Sequence, residues 1–160
     1  MKNFFESPLK FAEHLMQAVV DEAVILNVGL KAAVKLIERD AKKKIGEYQS
    51  EVGGFPAWAE LADSTKQDRV RKGFSENEPL LRTGDLRESI QSEVRGLEGV
   101  AGSTSEIAPY QEYGTNKIPE RPFIGPAAFQ NKEKIKTIIG LAAFEGITGG
   151  KKIYSFTNEK

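Results

Sequence analysis

The groups that could do chemistry in this chain are few. The 160 residues contain no cysteine and one histidine, His14. Thiol catalysis and thiolate metal sites are therefore excluded, and a Ser-His-Asp triad has no base other than that one imidazole. His14 falls within a helical pattern, where decoration of the polar face is its plain reading. Glu112 is the most suggestive acid, because Tyr110 and Tyr113 beside it imply partial burial, which perturbs a carboxyl group and fits it for acid–base work. The same carboxylate can instead tie down the loop that follows, and that is the favoured reading. The acid pairs Asp21-Glu22 and Asp63 with Asp68 are explained by surface solubility.

Phosphate chemistry needs a glycine-rich turn leading into a helix whose N–H groups meet the anion. Gly149-Gly150-Lys151-Lys152 has the composition but follows a helix, so it reads as a terminal linker. Lys42-Lys43-Lys44 with Lys35 and Arg39 forms a basic stripe that could contact nucleic-acid phosphates. Glu38, Asp40 and Glu47 dilute it, and a solvated helix face is the better reading. No cofactor or metal site is expected, and no enzyme.

Bulk properties are those of an ordinary globular protein. With 23 Lys and Arg against 23 Asp and Glu, the whole-molecule field gives no reason for non-specific attraction to nucleic acid or anionic membrane. The composition, 39% hydrophobic and 29% charged, is that of a globular domain rather than a disordered chain. The start, Met1 to Glu6, lacks the apolar core of a secretory signal, and no stretch approaches the ~20 apolar residues that span a bilayer. Synthesis in a reducing cytoplasm is expected, as one domain over 1–146 with a mobile tail over 147–160.

The elements that must position these groups follow from periodicity. Ser7-Pro8 reads as a helix cap and first turn, and Leu9, Ala12, Leu15, Met16, Val19, Val20 and Ala23 recur at helical steps to form one apolar stripe that needs a partner surface. The pattern continues through Leu30, Ala33, Val34, Ile37, Ala41, Ile45 and Tyr48. Asn27 and Gly29 interrupt it, which predicts either a kink or two helices in series. Gly53-Gly54-Phe55-Pro56-Ala57-Trp58 predicts a loop anchored by its two aromatics. Ser64 is expected to cap a short helix that runs to about Arg71 and is ended by Gly73.

Glu88 to Val94 alternates as a half-buried strand, although Leu86 and Ile90 also fit one helical turn; Gly96 to Gly99 reads as a hairpin loop and Val100 to Ser103 as the returning strand. Ile107 to Thr115 reads as one or two helical turns stopped by a left-handed Gly114, with 116–120 an exposed loop. Pro126 is expected to open a last helix that uses Ala127, Phe129, Ile135, Ile138, Ile139 and Ala142 and ends at Gly146 to Gly150. The fold class is α+β, a long N-terminal helix packed on a small antiparallel sheet with a C-terminal helix.

The order of features from about 41 to 127 carries a resemblance. Ala41-Lys42, Ile45-Gly46-Glu47-Tyr48, Phe55-Pro56-Ala57-Trp58-Ala59-Glu60-Leu61-Ala62 with Ser64-Thr65-Lys66, Leu81-Arg82-Thr83-Gly84-Asp85-Leu86-Arg87-Glu88-Ser89-Ile90, Tyr110-Gln111-Glu112-Tyr113-Gly114-Thr115 and Arg121-Pro122-Phe123-Ile124-Gly125-Pro126-Ala127 occur in that order. Together they resemble the virion morphogenesis family of long-tailed phages and prophages, described as minor tail, tail-completion or head–tail joining proteins. The resemblance covers a little over half of the chain. It implies a structural protein with no substrate, located in the neck or tail end of the virion, that forms a ring of its own copies, six in number, against other neck or tail proteins. DNA is then cargo passing through the lumen, no membrane is involved, and a closed ring requires head-to-tail contacts related by rotation.

In that role Thr83-Gly84-Asp85 makes a tight turn that directs Leu86 and Ile90 inward. Tyr110, Glu112 and Tyr113 brace the turn at Gly114-Thr115, and Arg121-Pro122-Phe123 pins the far end of the loop by burying Phe123. The loop 114–121, carrying Asn116, Lys117 and Glu120, is then a projection that contacts a neighbour or faces the lumen, with a plain connector as the equal alternative. The competing reading is a nucleic-acid-binding accessory protein that uses 35–44.

Overall fold

The structure is a computed structural model that describes residues 7–148, with the side chains of His14, Ala18, Ile147 and Thr148 not described. The expected tail mobility over 149–160, the Gly149 to Lys152 segment, the start Met1 to Glu6 and the setting of the His14 side chain all lie outside the described residues. The elements are α1 (Pro8–Lys44), α2 (Asp63–Arg71), α3 (Asp85–Glu88), β1 (Ile90–Arg95), β2 (Glu98–Ser103), α4 (Ala108–Tyr113), α5 (Ile124–Gln130) and α6 (Lys132–Thr148). The fold is α+β, with β1 and β2 pairing as an antiparallel hairpin.

Helix α1 starts as its sequence dictates. Ser7 Oγ accepts the amide hydrogen of Lys10 at 3.2 Å, and Pro8 occupies the first turn, where a missing N–H costs nothing. The helix then runs unbroken for 37 residues, so two helices in series do not form at Asn27 and Gly29. Both residues are there for packing. A Cβ on Gly29 would lie 2.6 Å from the Ala142 Cβ, closer than two methyl groups can approach, so glycine lets α1 and α6 touch backbone to side chain. Asn27 donates through Nδ2 to the Gly96 carbonyl at 2.8 Å, which ties the helix to the hairpin turn.

The described residues form two compact units. One comprises α1 up to Ala33, the hairpin tip Val94–Gly99 and α6 from Lys134; the other comprises Val34–Glu93 and Val100–Glu133. In the first, Gly29 meets Ala142, and a Cβ on Gly146 would lie 3.0 Å from the Glu22 Cα, so the two helices run antiparallel. Gly146 therefore sits inside α6, which is described as far as Thr148, within the stretch Gly146 to Gly150 expected to end it.

The second unit is built on the buried cluster Ala41, Ile45, Trp58, Leu86, Ile90, Ala108, Phe123 and Ala127. Its part of α1 is fastened to β1 by Glu38, which is 5% exposed and accepts a hydrogen bond from Ser92 Oγ at 2.6 Å. Lys35 and Lys42 also reach the Glu38 carboxylate, each at 2.9 Å. Burial pushes this carboxyl group up, but the hydrogen bonds from Lys42, Ser92 and Lys35 outweigh it and lower the pKa to about 2. The negative charge is thus maintained through the neutral range.

Three local expectations are corrected. The hairpin turn is the two residues Gly96 and Leu97, so β2 begins at Glu98 rather than Val100; Gly96, at φ 60°, holds the first turn position that glycine suits. The C-terminal helix is two helices, α5 and α6, divided at Asn131, which is 3% exposed and donates to Asp40 Oδ2 at 2.7 Å and to the Ala127 carbonyl at 2.8 Å. Helix α2 begins at Asp63, with Ala62 rather than Ser64 at the cap position.

Two glycine-to-alanine replacements separate packing from propensity. Gly140 lies in α6 with nothing within 4 Å of a built Cβ. Gly140→Ala should therefore raise stability by about 0.5–1 kcal/mol through helix propensity. Gly29→Ala gains the same propensity but must push α6 away, for a net loss of about 1–2 kcal/mol. Thermal denaturation of both variants checks this, and a higher melting midpoint for Gly29→Ala would contradict the close contact.

Candidate functional site

The site begins with Glu112 on the short helix α4. Its Oε2 accepts the amide hydrogens of Phe123 at 2.8 Å and Ile124 at 3.1 Å, and its Oε1 accepts that of Gly125 at 2.7 Å. These amides open α5, where N–H groups lack partners within the helix and the helix dipole favours an anion. Glu112 thus caps a helix 11 to 13 residues further along the chain. Both carboxylate oxygens are engaged in holding the loop, the structural use favoured over acid–base work.

The glycines around this clasp are there for room. A Cβ on Gly125 would lie 2.6 Å from the Phe55 ring and 3.2 Å from the Glu112 Oε1. Gly114 has φ 70° and ψ 177°, and a Cβ on it would lie 2.8 Å from the Glu120 amide nitrogen. That backbone region is essentially closed to other residues.

Between these points the loop 114–121 closes on itself. The Thr115 amide donates to the Ile118 carbonyl at 2.8 Å, and the Ile118 amide returns to the Thr115 carbonyl at 3.3 Å. Thr115 Oγ1 also accepts from the amides of Lys117 at 3.2 Å and Ile118 at 3.1 Å. Asn116, Lys117 and Glu120 stand exposed on this closed turn.

The far end is held by Arg121. Its amide donates to the Gln111 carbonyl at 2.6 Å, and its guanidinium, 6% exposed as a residue, donates to the carbonyls of Ala59 at 2.8 Å and Glu60 at 3.2 Å. Burial lowers the Arg121 pKa from its ordinary value. Pro122 and Phe123 are fully buried, and the Pro122 carbonyl accepts from Trp58 Nε1 at 3.0 Å, so the Trp58 loop and the Arg121 segment lock together.

The tyrosines are corrected. Tyr110 is 55% and Tyr113 80% exposed, so neither braces the turn; Gln111, Thr115 and Arg121 do that work through main-chain hydrogen bonds. Tyr113 instead edges an open cleft of about 510 Å³ lined also by Phe55, Ala108, Glu112 and Ile124. Phe129, expected to pack, is 48% exposed, although its ring meets Phe55 edge-on at 6.4 Å.

The Thr83-Gly84-Asp85 segment makes its turn with Gly84 at φ 98° and Thr83 Oγ1 donating to Asp85 Oδ2 at 2.7 Å. It opens the single turn α3 before the hairpin, and Leu86 and Ile90 are both buried. Asp68 accepts from Arg71 at 2.6 Å, Arg82 at 2.8 Å and Lys72 at 3.2 Å, and these hydrogen bonds hold its carboxyl well below the usual carboxylate range. Asp68 is thus the centre of a surface ion cluster.

The basic stripe is largely occupied. Lys35 and Lys42 pair with Glu38, Arg39 pairs with Asp40 at 3.1 Å, and Lys44, 7% exposed, donates to the amide oxygens of Gln130 at 2.8 Å and Gln49 at 3.2 Å. Sequence reading missed Lys44, Arg69 and Asn131 as buried polar residues. The one available signal was the placement of Lys44 in a last helical turn beside buried Ala41 and Ile45. Among the described residues, no group of three or more His, Asp or Glu is placed to hold a metal ion, and no helix is long and apolar enough to cross a membrane.

Removing the clasp should be costly. Glu112→Ala leaves three helix-start amides without their acceptor and should destabilise the protein by about 2–4 kcal/mol, whereas Glu112→Gln, which keeps one acceptor oxygen, should cost about half as much. Urea denaturation of both variants measures this, and a loss under about 0.5 kcal/mol for Glu112→Ala would contradict the capping role.

Over 81 residues the chain is 33% identical to Mu-like prophage FluMu G protein 2 of Haemophilus influenzae, an alignment covering 46% of this chain and 51% of that protein. The chain thus spans about half the length of the curated relative it matches. No family model and no solved structure matches the chain. The similarity is to a prophage protein, which supports a phage or prophage origin for this chain.

Proposed function

We propose that this protein is a structural component of a phage or prophage particle, acting at the neck or tail end as one copy in a ring that joins or completes head and tail. The observation that carries the reading is the similarity to the Mu-like prophage protein over 81 residues. Support comes from the clamped loop. Its ends are fixed by Glu112 and Arg121, its own hydrogen bonds close it, and Asn116, Lys117 and Glu120 are left exposed. Such a loop presents side chains to a neighbour with little ordering entropy left to lose on contact.

The protein works in this reading without substrate or cofactor, binding its own copies and the adjoining neck or tail proteins, with DNA passing through the lumen. Six copies remain the number that the family resemblance implies, and the virion is the site of action after synthesis in the bacterial cytoplasm. Nucleic-acid binding through 35–44 is the weaker alternative, because Lys35, Arg39, Lys42 and Lys44 already have partners within the protein.

Exchanging the loop charges tests the reading without touching the main-chain bonds that hold it. Lys117→Glu with Glu120→Lys should leave the melting midpoint unchanged and lower the yield of complete particles at least about tenfold when the variant complements a deletion. Unchanged particle yield would overturn the assignment of this loop as a contact.

A further inference from the structure

The expected apolar stripe at the start of α1 is largely bare among the described residues, with Ala23 and Val24 at the edge of a cleft beside Gly96 and Leu97 of the hairpin tip. Leu9, Leu15, Met16, Val19, Val20 and Val24 are 49–69% exposed. Further along α1, α6 packs at Glu22 and Gly29 and the hairpin tip reaches Asn27, and the helix becomes partly or fully buried there, whereas the stretch before it is bare. Helical geometry spreads these six side chains over about half of the circumference, wider than one adjoining helix covers.

The area identifies what kind of partner is needed. Together the six expose roughly 700 Å² of apolar surface, against the few hundred Å² that a monomer tolerates and the ~800 Å² per partner that a stable interface buries. The chain beyond Thr148 offers three large apolar residues, Ile153, Tyr154 and Phe156, among Lys151, Lys152, Glu159 and Lys160. That is too little to cover six. A second copy presents a matching stripe of the same length and width.

We propose that the first four turns of α1 are a self-association surface, packing against the same helix of other copies of this chain. An arc this wide suits a helix held between two neighbours, as rotational assembly supplies. The inference deepens the ring reading by naming the surface through which copies meet, and it rests on that reading for its biological use. The association itself is a property of the purified protein.

The test is the mass of the full-length protein by light scattering across a range of concentrations, beside Leu15→Glu with Val19→Glu. The wild type should associate, and the double variant should have a dissociation constant at least about 100-fold higher, since two central apolar contacts are lost. Both sites are exposed, so helical content and melting midpoint should be retained at dilutions where both proteins are monomeric; if they are not, Leu15→Ser with Val19→Ser repeats the comparison. A wild type that is monomeric throughout, or association that either pair leaves unchanged, overturns the proposal. Ile153→Glu with Phe156→Glu should not alter the mass, and increased association in that variant would show that the chain's own tail covers the face. Particle complementation by the same helix variants separates the two readings: lost association with normal particles would sink the ring assignment and keep the surface.

Discussion

The carboxylate of Glu112 holds the cap amide and the first two amides of a helix that begins twelve residues later, and much of the second unit is arranged around that contact. An isolated seven-residue helix such as α5 is not stable by itself, so its start must be supplied with an acceptor. Once Glu112 supplies it, α4 and α5 are fixed together and Phe123 is fully buried. The glycines follow from the same constraint, because Gly125 must admit both the Phe55 ring and the carboxylate, and Gly114 must let the chain turn back beside Glu120.

A fold with two strands has little ladder to organise its connections, and buried cations replace it. Arg121 reaches the carbonyls of Ala59 and Glu60, Lys44 the amide oxygens of Gln49 and Gln130, and Arg69 the carbonyls of Ser75 at 2.6 Å and Leu81 at 2.5 Å. Each ties one segment of the second unit to another through acceptors that the local secondary structure does not engage. Leu80, held at φ 62° beside the Arg69 contact, shows that the loop is constrained there against local preference. Burial disfavours the charged forms of Lys44 and Arg121, so these contacts maintain loop shape more than they add stability.

The sequence was legible where a signal is local. Ser7-Pro8 marks a helix start, alternating residues mark the strand, and Phe123 beside Pro122 marks a core anchor. It was misleading where distant segments decide the outcome. Gly29 reads as a breaker until α6 lies against it, and Asn131 divides a periodic stretch because Asp40 and the Ala127 carbonyl capture its amide. The aromatic rings of Tyr110 and Tyr113 drew attention as braces, whereas main-chain hydrogen bonds of Gln111 and Thr115 close the turn. Glu112 is half-buried, but by its three amide partners rather than by the neighbouring tyrosines, and those partners lie beyond any local window.

What emerges is a loop fixed in advance: side chains exposed at its tip, polar clasps at both ends and a bonded turn between them. In the proposed particle joint this would spare ordering the loop anew in each copy at assembly. Hydrogen exchange on the folded protein tests this most directly. The account predicts that the amides of Phe123, Ile124, Gly125 and Arg121, and those of Thr115 and Ile118 within the loop, exchange far more slowly than an unstructured chain. Exchange of the 123–125 amides at unprotected rates would contradict the clasp, and with it the rigid presentation of residues 116–120.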